Sequence, residues 1–495
     1  MYKIGFDNDK YLSMQSSKIK ERINMFGGKL YLEFGGKLFD DFHASRVLPG
    51  FLPDSKIKML MQLKDQAEIV ICINSQDIEK NKLRSDIGIT YDVEVLRLID
   101  IFKSKGLYVG SVVLTQYNQN LSSLATFEKK VLNKGIKVYK HYYIEGYPSN
   151  LKKIVSDDGY GKNDYIETSR SLVVVTAPGP GSGKMAACLS QLYHDNKKGI
   201  KAGYSKYETF PVWNLPLNHP VNIAYEAATA DLNDVNMIDP FHFESYNAIA
   251  VNYNRDVEIF PVLNTMLEMI LGKSPYNSPT DMGVNMVGYG IVNDDVCREA
   301  SKQEVIRRYF NALCDVKKGM ISQDVVMKIE YLMKKLGITE EYRNVVKPAR
   351  EKTEETGNTA VAIELDDGRI ITGKMGALLG ASAGVLLNAL KALGDIDDSI
   401  DLISPTLIEP IQDLKINHLG SVNKRLHADE ILIALSVCAG TNPLAKHAMS
   451  QLGKLKNCEL HSTVILPHQD ENVFKKLGLR LSYEPHRQRE IIYKK

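Results

Sequence analysis

The sequence lacks the features by which many functions announce themselves. No apolar run reaches the about 18 residues that a membrane-crossing helix needs, and the opening Met1-Tyr-Lys-Ile-Gly-Phe-Asp-Asn-Asp9 has no apolar signal core. A cytoplasmic protein with no membrane partner is expected. Its six cysteines (Cys72, Cys188, Cys297, Cys314, Cys438 and Cys458) never form a C-x-x-C pair, which argues against a zinc knuckle or a dithiol redox motif and predicts reduced, buried thiols. Neither sign of charge prevails: 62 basic residues against 60 acidic ones leave a formal charge of +2, so no field of the whole chain draws in nucleic acid or an anionic surface. There is no G-x-S-x-G elbow and no G-x-G-x-x-G after a strand, and aromatic residues do not interleave with basic ones as base stacking requires.

What is present is a globular composition, 44% apolar over 495 residues, enough for roughly two to four domains. Its most informative stretch is Ser171-Leu-Val-Val-Val-Thr-Ala-Pro-Gly-Pro-Gly-Ser-Gly-Lys-Met185, a buried strand running into a glycine-rich loop that ends in lysine. Gly179, Gly181 and Gly183 let backbone N–H groups turn toward one point, and a helix starting after Lys184 aims its N-terminus there. With Ser182 and Lys184 they form a candidate phosphate cradle. The P-loop pattern G-x-x-x-x-G-K-[ST] is matched incompletely, because Pro178 replaces the first glycine and Met185 the hydroxyl residue that would ligate Mg²⁺. Phosphate binding therefore survives better than metal-assisted hydrolysis. The competing interpretation is an ordinary strand-to-helix turn with a solvated Lys184.

Along the chain, apolar strands at Leu30–Phe34, Glu68–Asn74, Tyr108–Leu114 and Lys137–Ile144 alternate with helical stretches, which predicts an α/β fold on a largely parallel sheet. The Ser171 strand joins that sheet, and its loop falls at a carboxyl edge, where open α/β folds bind ligands. The segments Arg298–Val316 and Gln323–Leu336, stopped by Gly319 and Gly337, predict a central helical subdomain, and the charged stretch 347–358 a linker. The C-terminal part opens on a hairpin, Ala360 to Thr372 through Asp-Asp-Gly, followed by a small-residue helix with Gly376, Gly380 and Gly384 on one face, a strand at Ile400–Ser404 and further helices and strands. That order resembles the cytidine-deaminase-like topology without its metal ligands: the corresponding regions read Gly376-Ala-Leu-Leu-Gly380 and Ser404-Pro-Thr-Leu-Ile-Glu-Pro410. The expected division is an α/β domain over 1–285, a helical subdomain over 286–346 and a C-terminal α/β domain over 347–495.

Three polar clusters follow the glycine loop. In Ala230 to His242, the carboxylates Asp231, Asp234 and Asp239 with His242 suit a divalent metal or acid–base work, while Asp239 before Pro240 equally suits a helix cap. In Val251 to Glu258, Arg255 could clamp a carboxylate or phosphate, or pair with Asp256. In Pro275 to Asn285, Ser278, Thr280, Asp281 and Asn285 surround Gly283, as in a closing loop or a plain connector. Asp239, His242, Arg255 and Asp281 are the candidate catalytic residues.

The glycine loop with Gln191-Leu-Tyr-His194, the run Asn252 to Asp256, Ser278 to Asn285 and Ile370 to Ser382 together resemble a bacterial family of cytosolic proteins of this length, known only as a domain of unknown function. The resemblance spans the chain. It implies an N-terminal α/β region, a helical insert and a C-terminal α/β region, and it supplies no activity, cofactor or catalytic residue. The expected function is a phosphate- or nucleotide-binding enzyme: a nucleotide-dependent transferase or ligase, with nucleotide and Mg²⁺ as cofactors, or an enzyme of a small phosphorylated metabolite. A non-catalytic phosphate sensor or homo-oligomeric assembly protein is the alternative.

Overall fold

A computed structural model describes residues 3–35, 38, 39, 41–84, 88–119 and 121–487. The chain gathers into two compact units, one of Ile4–Glu226 with Asn233–Ala300, the other built mainly from Ala227–Leu232 and Ser301–Lys495.

The first unit is organised by a seven-stranded, wholly parallel sheet. Its strands are β1 (Leu30–Phe34), β2 (Ala67–Asn74), β3 (Tyr108–Tyr117), β4 (Lys137–Tyr142), β5 (Leu172–Thr176), β6 (Gly203–Tyr207) and a short β9 (Gly283–Val284), in the order β9-β6-β1-β5-β2-β3-β4. Between β6 and β9 the chain adds an antiparallel pair, β7 (Asn236–Ile238) with β8 (Val251–Tyr253). Strands β1, β2 and β5 are buried along almost their whole length, as expected of a parallel sheet covered on both faces. β6 and β9 were not foreseen. Gly203-Tyr-Ser-Lys-Tyr207 contains no aliphatic residue, yet it holds its place because Tyr204 and Tyr207 are buried while Ser205 and Tyr276 hydrogen-bond through their hydroxyls at 2.8 Å.

In chain order the sheet grows from β1 toward β4, returns to insert β5 beside β1, and then continues on the other side with β6 and β9. The reversal places the loop after β5 at the centre of the carboxyl edge, the position where ligands of open parallel sheets bind.

The second unit contains a four-stranded mixed sheet, β11-β10-β12-β13, of β10 (Ala360–Glu364), β11 (Ile370–Lys374), β12 (Glu459–Ser462) and β13 (Arg480–Tyr483); β12 and β13 run parallel and the other pairs antiparallel. The expected hairpin is present as β10 and β11. Three local expectations are corrected. The stretch 347–358 lies mostly in a helix, Val346–Thr356, ended by Gly357 at φ +64°, because its lysines and glutamates are good helix formers and Lys347 and Glu351 stand one turn apart. Ile400–Ser404 forms no strand; Ser404 instead caps the helix Pro405–Asp413, with Pro405 at its first position. Gly376 and Gly380 precede the helix Ala381–Leu393, so only Gly384 lies within it, where a Cβ would sit 3.4 Å from the Lys374 carbonyl. That glycine serves close packing of helix on sheet.

Candidate functional site at the carboxyl edge of the parallel sheet

The glycine loop leaves the end of β5 and enters the helix Lys184–Lys197 through Gly183, which caps the helix with a left-handed backbone and no side chain. Two further contacts set its shape. Ser182 is buried and donates its hydroxyl to the Gly179 carbonyl at 2.9 Å, while Thr115 at the end of β3 donates to the Ser182 carbonyl at 2.9 Å. Gly179 rests on Tyr91, whose hydroxyl would lie 2.1 Å from an added Cβ, and Gly183 rests on Thr115 at 3.0 Å. Glycine at these positions is demanded by contact, and at Gly181 and Gly183 also by φ values of +75° and +80°.

The Gly179 and Ser182 carbonyls and the Ser182 hydroxyl are therefore engaged within the protein, whereas several backbone donors of the loop are not. Among the described residues, no acceptor meets the backbone N–H of Gly181, Ser182, Gly183 or Lys184, and the Lys184 ammonium makes no ion pair. Four donors and a cation thus remain free at the positive end of a 14-residue helix.

The other expected residues fall into two groups. Asp239 is fully buried; it caps the helix Pro240–Tyr246 through the His242 N–H at 3.0 Å and accepts the Thr280 hydroxyl at 2.6 Å. His242 meets the Ser278 hydroxyl at 3.0 Å and stands 3.7 Å from Asp281, which also accepts the Tyr246 hydroxyl at 2.7 Å. Asp239, His242 and Asp281 are thus assembled together, joining the chain before Pro240 to the loop before β9. Arg255 lies apart from them and holds Asp234 through one hydrogen bond of 2.8 Å and an ion-pair contact of 2.7 Å, so its fork faces Asp234 rather than Asp256. No hydrogen bond or ion pair among the described residues links these four residues to the glycine loop. Nor do any three histidine, cysteine, aspartate or glutamate side chains among the described residues form a group able to hold a metal ion.

Sequence reasoning missed a second ionisable centre. Lys206 on β6 contacts Asp256, the acidic residue in the first turn of the helix Asn254–Leu271, and lies 3.3 Å from both the Glu208 carboxylate and the Tyr253 hydroxyl. The Lys206, Glu208 and Asp256 side chains keep only 15%, 10% and 11% of their surface exposed, so the centre is largely buried. Burial pushes the Glu208 carboxyl up to about 8; Lys206 opposes that shift, and the hydrogen-bonded Asp256 adds to it. Burial works against the Lys206 ammonium too, but Asp256, Tyr253 and Glu208 outweigh it and hold its pKa well above the ordinary value. A lysine and a glutamate two residues apart in a recognised strand would have been the signal, and β6 was not recognised.

Family models match nearly the whole chain: "Domain of unknown function DUF1846, N-terminal" over residues 4–337 and "Domain of unknown function DUF1846, C-terminal" over residues 341–493. The chain belongs to the DUF1846 family. Relatives of this DUF1846 protein include UPF0371 protein SpyM3_1021 of Streptococcus pyogenes serotype M3, 57% identical over 495 residues, and UPF0371 protein stu1377 of Streptococcus thermophilus, 58% identical over 495 residues, each alignment covering both chains completely. The family resemblance inferred from the glycine loop and its companion motifs is thereby established. No helix of the DUF1846 chain among the described residues is long and apolar enough to cross a membrane.

Proposed function

We propose that this DUF1846 protein is an enzyme of a small phosphorylated molecule, whose phosphate is held by the backbone amides of Gly181, Ser182, Gly183 and Lys184 and by the Lys184 ammonium. The observation that carries this reading is the unmet set of donors at the N-terminus of the helix Lys184–Lys197, in a loop whose Ser182 hydroxyl and Gly179 and Ser182 carbonyls are engaged within the protein. A phosphate oxygen supplies the missing acceptors, and the helix dipole favours its charge. Met185 gives the loop no hydroxyl for a metal ion, so a phosphorylated metabolite fits better than metal-assisted nucleotide hydrolysis.

The order strand, glycine loop, lysine, helix also suits a nucleotide-dependent transferase or ligase, and titration separates the two readings. Wild-type protein is expected to bind inorganic phosphate and phosphorylated metabolites in calorimetry without Mg²⁺. Lys184→Ala should weaken that binding about ten-fold or more, the usual worth of a charge-assisted contact. Binding of ATP or GTP that depends on Mg²⁺ would favour the nucleotide reading. No binding of any phosphate at millimolar concentration would dismiss both.

A further inference from the structure

The second unit holds the most exposed aliphatic side chains among the described residues. Val422, Leu419, Val437 and Ile433 keep 93%, 70%, 68% and 67% of their surface in solvent. Leu419 and Val422 lie in the stretch that delivers the chain to the helix Ala428–Cys438, and Ile433 and Val437 stand one turn apart on that helix. The stretch is tied to the helix on either side of these residues: the Lys415 ammonium bonds the Arg425 carbonyl and the Glu430 carboxylate, each at 2.7 Å.

The helix is apolar on both sides. Ile431, Ala434, Leu435 and Cys438 enter the core of the unit, as their three- and four-residue spacing requires. Asp429, Ile433, Ser436, Val437 and, just past the helix end, Gly440 recur at the same spacing on the opposite face, where Asp429 is half-buried and the other four are exposed. A helix apolar all round belongs inside a structure, and an apolar face left in solvent marks a surface that a partner covers.

The charges at its two ends say which partner. Within the helix only Asp429 and Glu430 are charged, and Glu430 is engaged inside the chain by Lys415 and by the His427 N–H at 2.7 Å. Asp429 accepts the Glu430 N–H at 2.9 Å and makes no ion pair among the described residues. Beyond the other end, the chain turns into the helix Pro443–Ser450, whose Ala445 and Ala448 pack in the same core as Leu435 and Cys438. There Lys446 is exposed and likewise makes no ion pair among the described residues. From Asp429 to Lys446 the outward face thus carries one acid, an uncharged apolar middle and one base. An antiparallel copy of the same face, related by a two-fold axis between Ile433 and Val437, sets Ile433 of each copy against Val437 of the other and brings each acidic end toward the opposite basic end. Both unpaired charges are met at once, and the antiparallel helix dipoles agree with the arrangement.

We propose that two copies of this chain pair through the outward face of the helix Ala428–Cys438, with Leu419 and Val422 covered in the same contact. The pairing is independent of the phosphate reading of the glycine loop. Sedimentation equilibrium of the full-length protein at micromolar concentration should give a species of twice the chain's 55.5 kDa. The double variant I433K/V437K should sediment as the single chain with the far-ultraviolet circular dichroism of wild type, because both side chains are exposed before pairing. D429K and K446D should each raise the dissociation constant of the dimer about ten-fold or more, since a symmetric pair then has two like-charge contacts in place of two opposite ones. Combining D429K with K446D should restore wild-type pairing, a rescue that loss of folding could not produce. A wild type that stays monomeric up to millimolar concentration would leave the face to a different protein and overturn the proposal. A dimer that survives I433K/V437K, or a double charge reversal that pairs no better than the single ones, would overturn it as well.

Discussion

A carboxyl group that keeps its proton in the folded chain but releases it in the unfolded chain makes stability fall as pH rises. Glu208 is such a group. Below its ordinary value of 4.5 both states are protonated and it contributes nothing; between 4.5 and about 8 only the unfolded chain has lost the proton, so unfolding becomes easier with each pH step; above about 8 the slope vanishes. The limiting slope is about 1.4 kcal/mol per pH unit. Glutamine at this position keeps the shape and removes the titration. Urea unfolding of wild type and E208Q at pH 5.5 and pH 8.5 should therefore give a variant that gains relative to wild type at the higher pH. An unchanged difference would mean that Glu208 is ionised throughout. Lys206, also raised, keeps its charge across this range and adds no slope of its own.

For the glycine loop, the relevant quantities are local strain and local contact. Gly183 sits at φ +80° against Thr115, so Gly183→Ala should cost about 1–2 kcal/mol for the left-handed backbone alone. Gly179 adopts no such backbone, but an alanine methyl would overlap the hydroxyl of the buried Tyr91, an overpacking cost of about 1–3 kcal/mol. Lys184→Ala should leave thermal stability within about 0.5 kcal/mol, because the Lys184 ammonium makes no ion pair or hydrogen bond among the described residues. Melting curves of the three variants check the order, and a Lys184 variant as unstable as the Gly179 one would show the lysine to be structural. What the sequence made legible follows the same division between aliphatic runs and local polar chemistry. The strands β1, β2, β3 and β5 and the loop after β5 were readable because Leu-Val-Val-Val and its like have one stable fate, burial in a parallel sheet. β6 was hidden: its buried residues are tyrosines held by hydroxyl bonds to distant partners, as between Tyr11 and Tyr207, 196 positions apart. With β6 unseen, Lys206 and Glu208 could not be placed at a carboxyl edge. Arg255 shows the converse difficulty, since its neighbour in sequence is Asp256 but the fold gives Asp256 to Lys206 and brings Asp234 to the arginine.

Over the whole molecule, the six cysteines give a readout of folding that needs no ligand. All are buried as free thiols, three in the unit containing Cys72, Cys188 and Cys297 and three in the unit containing Cys314, Cys438 and Cys458. Burial raises the Cys72, Cys297, Cys314 and Cys458 thiols to about 12, and Cys188 well above its ordinary value. Reaction with a disulfide reagent requires both access and thiolate, and at pH 8 a group titrating near 12 is ionised to only about one part in ten thousand. Native protein should therefore show no fast thiol, and denatured protein six. Reaction in intermediate denaturant then follows opening of the structure rather than chemistry at the surface. Because the thiols divide equally between the two units, release in two steps of three would mark units of unequal stability, and a single step of six a common transition. One rapidly reacting thiol in native protein would contradict the burial of the cysteines and locate the segment that opens first.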